Sequence, residues 1–107
     1  MAVAALREAV ANAEKGLVDA DLGGGVIKQR IARAGGGKSG DFRTIILFRA
    51  GQRAFFVHGF AKSGQDNIRD DELAAFKMLA AELLNYGGAA LAKAVAAGVL
   101  MEVLDDD

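Results

Sequence analysis

Basic side chains concentrate in the middle of this 107-residue chain. Between Val26 and Arg69 there are nine Lys or Arg residues and two acids, whereas the rest of the chain carries four basic and twelve acidic residues. The formal net charge is only −1, so the excess of positive charge is local. Such a segment predicts a surface that binds phosphate or another anion. The alternative is that these cations lie on solvated strand faces and protect sheet edges. The nine residues are Lys28, Arg30, Arg33, Lys38, Arg43, Arg49, Arg53, Lys62 and Arg69.

The stretch "IARAGGGKSG", residues 31 to 40, resembles a phosphate-binding P-loop at its end, where Gly37, Lys38 and Ser39 match the motif G-x-x-x-x-G-K-[ST]. The position of the first glycine is occupied by Ala32. A P-loop also needs a buried strand before it and a helix that begins at the lysine. The flank "VIKQRIAR" instead alternates with charge, as in a half-exposed strand. The flank "FRTIILFR" is rich in β-branched and aromatic residues and is predicted to be a second strand. The sequence therefore predicts a hairpin loop between antiparallel strands, not a nucleotide site.

Residue types that are rare or missing exclude several other kinds of site. There is no cysteine, so the chain has no disulfide and no thiolate metal site, and a single histidine argues against a histidine-built metal centre. Nothing resembles a signal peptide or a membrane span. We expect a cytoplasmic protein that uses no metal and no cofactor.

The elements that must position the basic residues suggest one α+β domain over residues 1–107. An apolar stripe over residues 3–17 predicts a first helix that ends near Gly16. The segment "DADLGGG" is interpreted as a linker with Leu22 as a buried anchor. Three strands are predicted over about 25–33, 42–50 and 53–62, and the short turns between them favour an antiparallel meander. The stripe consists of Val3, Leu6, Val10, Ala13 and Leu17.

The C-terminal third is predicted to be helical. A helix capped by Asn67 or Asp70 is expected to run to about Asn85, followed by a short Ala-rich helix over about 89–97. The segment "VLMEVL" is compatible with one short strand. Alternation in the second strand places Arg43 on a face with Arg49, and helices are expected to cover one side of the sheet while the other stays partly open. The buried stripe of the first of these helices is Leu73, Phe76, Ala80, Leu83 and Leu84.

The segment "DLGGGVIKQRIARAGGGKSGDFRTIILFRAGQRAFFVHGFAKS" resembles the RelE/HigB-type toxins of bacterial toxin–antitoxin systems. The closest likeness is to a subgroup with a "GKSGG-[FY]R" signature before one strand and "F-A-K-S" after the next. The resemblance extends over roughly residues 14–85. It implies a RelE-like α+β fold, in which an N-terminal helix packs on an antiparallel sheet of three or four strands and C-terminal helices follow.

The resemblance also implies an activity, which is cleavage of messenger RNA on the ribosome, and a partner, which is an antitoxin, often a helix-turn-helix protein. Attack by the neighbouring 2′-hydroxyl needs a base, an acid and positive charge beside the phosphorane, but no metal. Arg43 matches a charge-stabilising arginine, Lys62 the basic residue that closes the last strand, and His58 a position for an acid, a base or a stacking ring. The residues implied for RNA binding are Lys28, Arg30 and Lys38.

Each of these roles has a structural alternative. His58 can be an ordinary packed residue, and Arg43 and Lys62 can be sheet-edge charges, whereas Phe55, Phe56 and Phe60 are expected in the core. The chain departs from the subgroup because it begins on a helix, without the usual N-terminal strand, and lacks a proline and a second glycine in the signature. These departures leave open a degenerate, non-catalytic toxin that binds nucleic acid or antitoxin. They also predict that the isolated chain self-associates or depends on its antitoxin for solubility.

Overall fold

The computed structural model describes residues 3–31, 42–61 and 68–103. One helix, four strands and two further helices follow each other along the chain, and the strands form one antiparallel sheet in the order β1-β2-β3-β4. This arrangement confirms the predicted α+β fold. The elements are α1 (Val3–Glu14), β1 (Ala20–Gly23), β2 (Val26–Ile31), β3 (Phe42–Arg49), β4 (Arg53–Ala61), α2 (Asp70–Leu83) and α3 (Gly88–Ala96).

The predicted linker was the main error in the element assignment, because residues 20–23 form edge strand β1. The strand pairs with β2 through a tight turn in which Gly23, Gly24 and Gly25 all have positive φ angles. Glycine adopts this backbone region without the steric cost that a Cβ imposes. At Gly25 an added Cβ would also lie 2.7 Å from Cδ1 of Leu84, so the turn packs directly under α2.

Helix α1 ends at Glu14, two residues before the predicted end near Gly16, and the predicted stripe meets the sheet only in part. Ala9 and Ala13 are buried, whereas Leu17 lies beyond the helix and is 61% exposed. Of the predicted stripe, Ala13 is buried and Leu6 packs against the same cluster, whereas Ala9 was not part of the stripe. The small side chains of the two alanines let the helix approach the strands closely. Gly16, with φ +80°, follows the helix as expected for a C-terminal glycine.

A helix packs on each face of the sheet, α1 on one and α2 on the other, whereas the sequence predicted helices on one face and a second face that stays partly open. On one face Ile27, Ile31 and Ile46 pack with α1. On the other face Val26, Ile45, Leu47 and Phe60 pack with the predicted stripe of α2, in which Ala80, Leu83 and Leu84 are buried. Phe55 and Phe56 are half-buried against these two clusters, so all three phenylalanines of β4 are core residues as predicted.

The C-terminal third differs from the prediction at its two ends. The N-cap of α2 is Arg69, not Asn67 or Asp70, and its N–H donates to Glu72 Oε1 over 2.9 Å. Residues 99–103, the described part of "VLMEVL", do not form a strand.

Strand β4 is the second edge of the sheet, and no strand in the described ranges pairs with its outer side. An apolar groove of about 1430 Å³ lies there, lined by Leu6 and Val10 of α1 and by Leu79, Leu91 and Val95 of the C-terminal helices.

Candidate functional site

Four of the six predicted site residues lie on one face of the sheet. Arg30 pairs with Arg43 across β2 and β3, and in the next row Lys28 pairs with Ile45, which in turn pairs with His58 of β4. Side chains of directly paired residues, and of residues two apart on one strand, point to the same side of a sheet. Since Ile45 belongs to the core under α2, all four side chains lie on the α2 face. The structure therefore brings together the residues of these two adjacent rows.

Arg43 is the most constrained of these cations. Its Nε lies 3.2 Å from Oδ2 of Asp19, and the side chains of Arg43 and Asp19 are 15% and 34% exposed. Nη1 of the same guanidinium is buried and has no hydrogen-bond partner among the described residues. A buried N–H group without a partner costs free energy, so such groups are uncommon and call for an explanation. Binding of an anionic ligand is one such explanation.

His58 lies between two aromatic rings. Its ring centroid is 5.6 Å from that of Phe60 and 6.0 Å from that of Phe76, with interplanar angles near 33°. The carbonyl oxygen of His58 accepts a hydrogen bond from Oγ1 of Thr44 over 3.1 Å. Nε2 is buried and, within the described ranges, has no partner. The ring is thus packed as the structural alternative predicts, and its Nε2 is left without a hydrogen bond in the described part of the chain.

Lys28 and Arg30 border this pair of residues on β2. Lys28 is half-buried and Arg30 is exposed. Lys38 and Lys62 lie outside the described residues.

Two other arginines of the basic segment have structural partners instead. Nη1 of Arg49 donates to the carbonyl oxygen of Leu84 over 2.6 Å. Nη1 of Arg53 donates to the carbonyl oxygens of Leu83 and Tyr86 over 3.2 and 2.8 Å. These carbonyls form the C-terminal end of α2, where the helix dipole favours positive charge. Arg49 and Arg53 therefore hold α2 on the sheet, which the sequence analysis did not distinguish from anion binding.

Arg69 is the third cation with a structural role. Its guanidinium pairs with the carboxylate of Asp71, with an Nε–Oδ1 distance of 3.1 Å. Both side chains are largely exposed, and the pair lies in the first turn of α2. Within the described ranges, the residues that remain for an anion-binding surface are therefore Arg43 and its neighbours Lys28, Arg30 and His58, the cluster around Arg43.

Two residues near the site were missed by the sequence analysis. Asp19 pairs with Arg43, and Gln29, which is only 4% exposed, hydrogen-bonds to the segment that carries Asp19. A signal for Gln29 was present, because it is a polar residue in the same register as Ile27 and Ile31 on the buried face of β2. Asp19 had no such signal, since it precedes a strand that was interpreted as a linker.

Comparison with known proteins identifies the family. A family model described as the RelE toxin of the RelE / RelB toxin-antitoxin system matches residues 1–103. The chain belongs to the RelE toxin family. RelE toxins are generally endoribonucleases that act in a pair with an antitoxin, and the cluster around Arg43 is the candidate site for that chemistry in this RelE toxin. No curated protein and no solved structure gave a significant match. None of the helices in the described part of the chain is long and apolar enough to cross a membrane.

Proposed function

We propose that this RelE toxin is a ribosome-dependent endoribonuclease that cleaves messenger RNA by attack of a 2′-hydroxyl on the adjacent phosphate, without a metal. The observation that supports this proposal is the guanidinium of Arg43, which pairs with Asp19 at Nε, has a buried and unpartnered Nη1, and lies in the sheet row next to that of His58. A cation held in this way suits the charge that develops on a phosphorane.

The remaining steps are assigned to neighbouring residues. The 2′-oxygen must lose a proton and the leaving 5′-oxygen must gain one, and we assign these transfers to His58 and Lys62. Lys28, Arg30 and Lys38 are proposed to bind the RNA backbone, where Lys and Arg contact phosphates without reading the bases. One imidazole beside several cations is a weak acid–base system, so we propose that the ribosome supplies part of the substrate geometry.

Partners and location follow from the same proposal. We propose a helix-turn-helix antitoxin, a cytoplasmic location and a single toxin domain over residues 1–107. Self-association also stays a prediction, and light scattering on the isolated chain tests it. A second candidate function, a non-catalytic module that binds nucleic acid or antitoxin, is favoured by the packing of His58 between Phe60 and Phe76.

Cleavage of a defined message distinguishes the two functions. The purified toxin is incubated with the message alone and with ribosomes that carry it, and the cut sites are mapped by primer extension. The proposal predicts cuts only in the presence of ribosomes. Equal cutting of naked RNA would refute the ribosome dependence. Absence of cutting in both samples, together with retained binding of ribosomes or antitoxin, would establish the non-catalytic module.

A further inference from the structure

We infer that Asp19 is a positioning residue for Arg43 and that the buried amide of Gln29 holds Asp19 in place. The inference deepens the proposed function, on which it rests, because it assigns how the charge-stabilising arginine is oriented. Three observations carry it: the hydrogen bonds of Gln29, the ion pair of Asp19, and the unpartnered nitrogen of Arg43.

Gln29 connects the end of α1 to the sheet. Its Nε2 donates to the carbonyl oxygens of Ala9 and Leu17, both over 2.9 Å, and its Oε1 accepts from the N–H of Asp19 over 3.0 Å. Three bonds from one buried side chain determine the path of the chain between α1 and β1. A buried amide with its partners in place has one arrangement, since any other leaves polar groups unsatisfied.

The chain segment held by Gln29 brings Asp19 around the edge of the sheet. Gln29 pairs with Thr44 and therefore lies on the α1 face, whereas Arg43 lies on the α2 face. Strand β1 begins with Ala20 opposite Lys28, so Asp19 is positioned at the margin of β2, between the two faces. From there its carboxylate reaches Arg43 Nε.

The contact at Nε determines which part of the guanidinium remains for a ligand. A planar guanidinium held at Nε cannot rotate freely, so its Nη groups keep a fixed direction. Nη1 is buried and has no partner among the described residues, so an anion that reaches it would supply the hydrogen bond that this donor lacks. Without Asp19 the side chain would keep its charge but lose this orientation.

A competing interpretation is that Asp19 only lowers the positive charge of the surface. The two interpretations predict opposite changes in cleavage. If Asp19 only opposes the anionic substrate, its neutralisation strengthens RNA binding and leaves the chemical step unchanged. If Asp19 orients Arg43, neutralisation lowers kcat, because a small displacement of a catalytic group is costly.

The test compares Asp19→Asn with Asp21→Asn. Asp21 is an exposed acid two residues away whose Oδ1 accepts from the N–H of Gly23, so the control removes the same charge nearby but does not affect the pair with Arg43. In ribosome-dependent cleavage we expect Asp19→Asn to lower kcat by about tenfold to a hundredfold with KM unchanged or lower, and Asp21→Asn to stay within about twofold. An unchanged kcat in Asp19→Asn would overturn the inference.

A double-mutant cycle tests whether Asp19 acts through Arg43. If it does, Asp19→Asn added to Arg43→Ala causes no further loss of kcat, since the group that Asp19 orients is already absent. Multiplication of the two losses would show that Asp19 acts independently and would overturn the inference. Gln29→Met, which keeps the volume but removes the hydrogen bonds, is expected to lower kcat in the same direction.

A readout that does not need cleavage separates this inference from the proposed function. In protein labelled with ¹⁵N-arginine, the Nε–H resonance of Arg43, assigned by its loss in Arg43→Lys, should exchange slowly with water in the native chain and in Asp21→Asn. It should exchange rapidly in Asp19→Asn and in Gln29→Met. Slow exchange in a native chain that cleaves no RNA would contradict the proposed function but leave the positioning of Arg43 intact. Rapid exchange in the native chain would contradict the positioning of Arg43.

Discussion

Replacement of Arg43 by alanine separates catalysis from stability. The change removes a charged donor from the place where the phosphorane forms, and loss of one such stabiliser costs about 3 kcal/mol of activation free energy, or about a hundredfold or more in kcat. The cost to folding is smaller. The ion pair with Asp19 is partly exposed, and pairs of this kind contribute about 1 kcal/mol or less.

Two further features limit the loss of stability. Asp19 is 34% exposed, so its carboxylate stays hydrated when its partner is removed. The change also eliminates the unpartnered Nη1, whose burial is unfavourable. We therefore expect the free energy of unfolding to change by no more than about 1 kcal/mol, which corresponds to a fall in Tm of about 4 °C.

The assay combines toxicity, cleavage and unfolding. Growth after induced expression and ribosome-dependent cleavage are measured beside a thermal unfolding curve, with Lys93→Ala as the control for loss of an exposed cation. Arg43→Lys should fall between the native chain and Arg43→Ala, because it keeps the charge but loses the planar fork. A soluble, folded Arg43→Ala protein with full activity would refute the assignment. A variant that fails to fold would refute the stability argument.

Two further predictions concern a turn and a tyrosine. A left-handed backbone conformation costs a residue with a Cβ about 1–2 kcal/mol. Gly25→Ala should lower the free energy of unfolding by more than this, because the added Cβ would also lie 2.7 Å from Leu84 Cδ1. Gly51→Ala is the control, with φ +71° and open space around the added Cβ, and equal losses in chemical denaturation would contradict the steric argument. The negative charge of Glu82 raises the pKa of Tyr86, and burial and the hydrogen bond between the two side chains raise it further. The pair therefore stabilises the folded state at pH values below the ordinary tyrosine pKa of about 10. This stabilisation is lost as the pH rises through the higher pKa of the folded state. Since Tyr86 is the one tyrosine and there is no tryptophan, the ultraviolet absorbance of the tyrosinate reports its titration directly, and an unchanged pKa in Glu82→Gln would show that the carboxylate is not the cause.

Local patterns were enough for most of the elements. The stripe of α2 and the alternation of β3 were visible because each depends on the period of one element, and both sets of residues are in the core as predicted. The prediction was wrong where tertiary packing overrides such patterns. Strand β1 has only four residues and exists because β2 pairs with it, and α1 meets the sheet through alanines because they allow close approach.

In the candidate site, too, part of the arrangement follows from local patterns and part from tertiary packing. The concentration of positive charge between Val26 and Arg69 and the shared face of Arg43 and Arg49 follow from the sequence alone, since they depend only on composition and on a period of two. What the sequence could not decide is which arginine serves an anion. Arg49 donates to the carbonyl oxygen of Leu84, 35 residues later at the C-terminal end of α2, whereas Arg43 pairs with Asp19 and keeps one N–H without a partner among the described residues. Their local surroundings in β3 are alike, so only the packing of distant segments onto the sheet distinguishes the two.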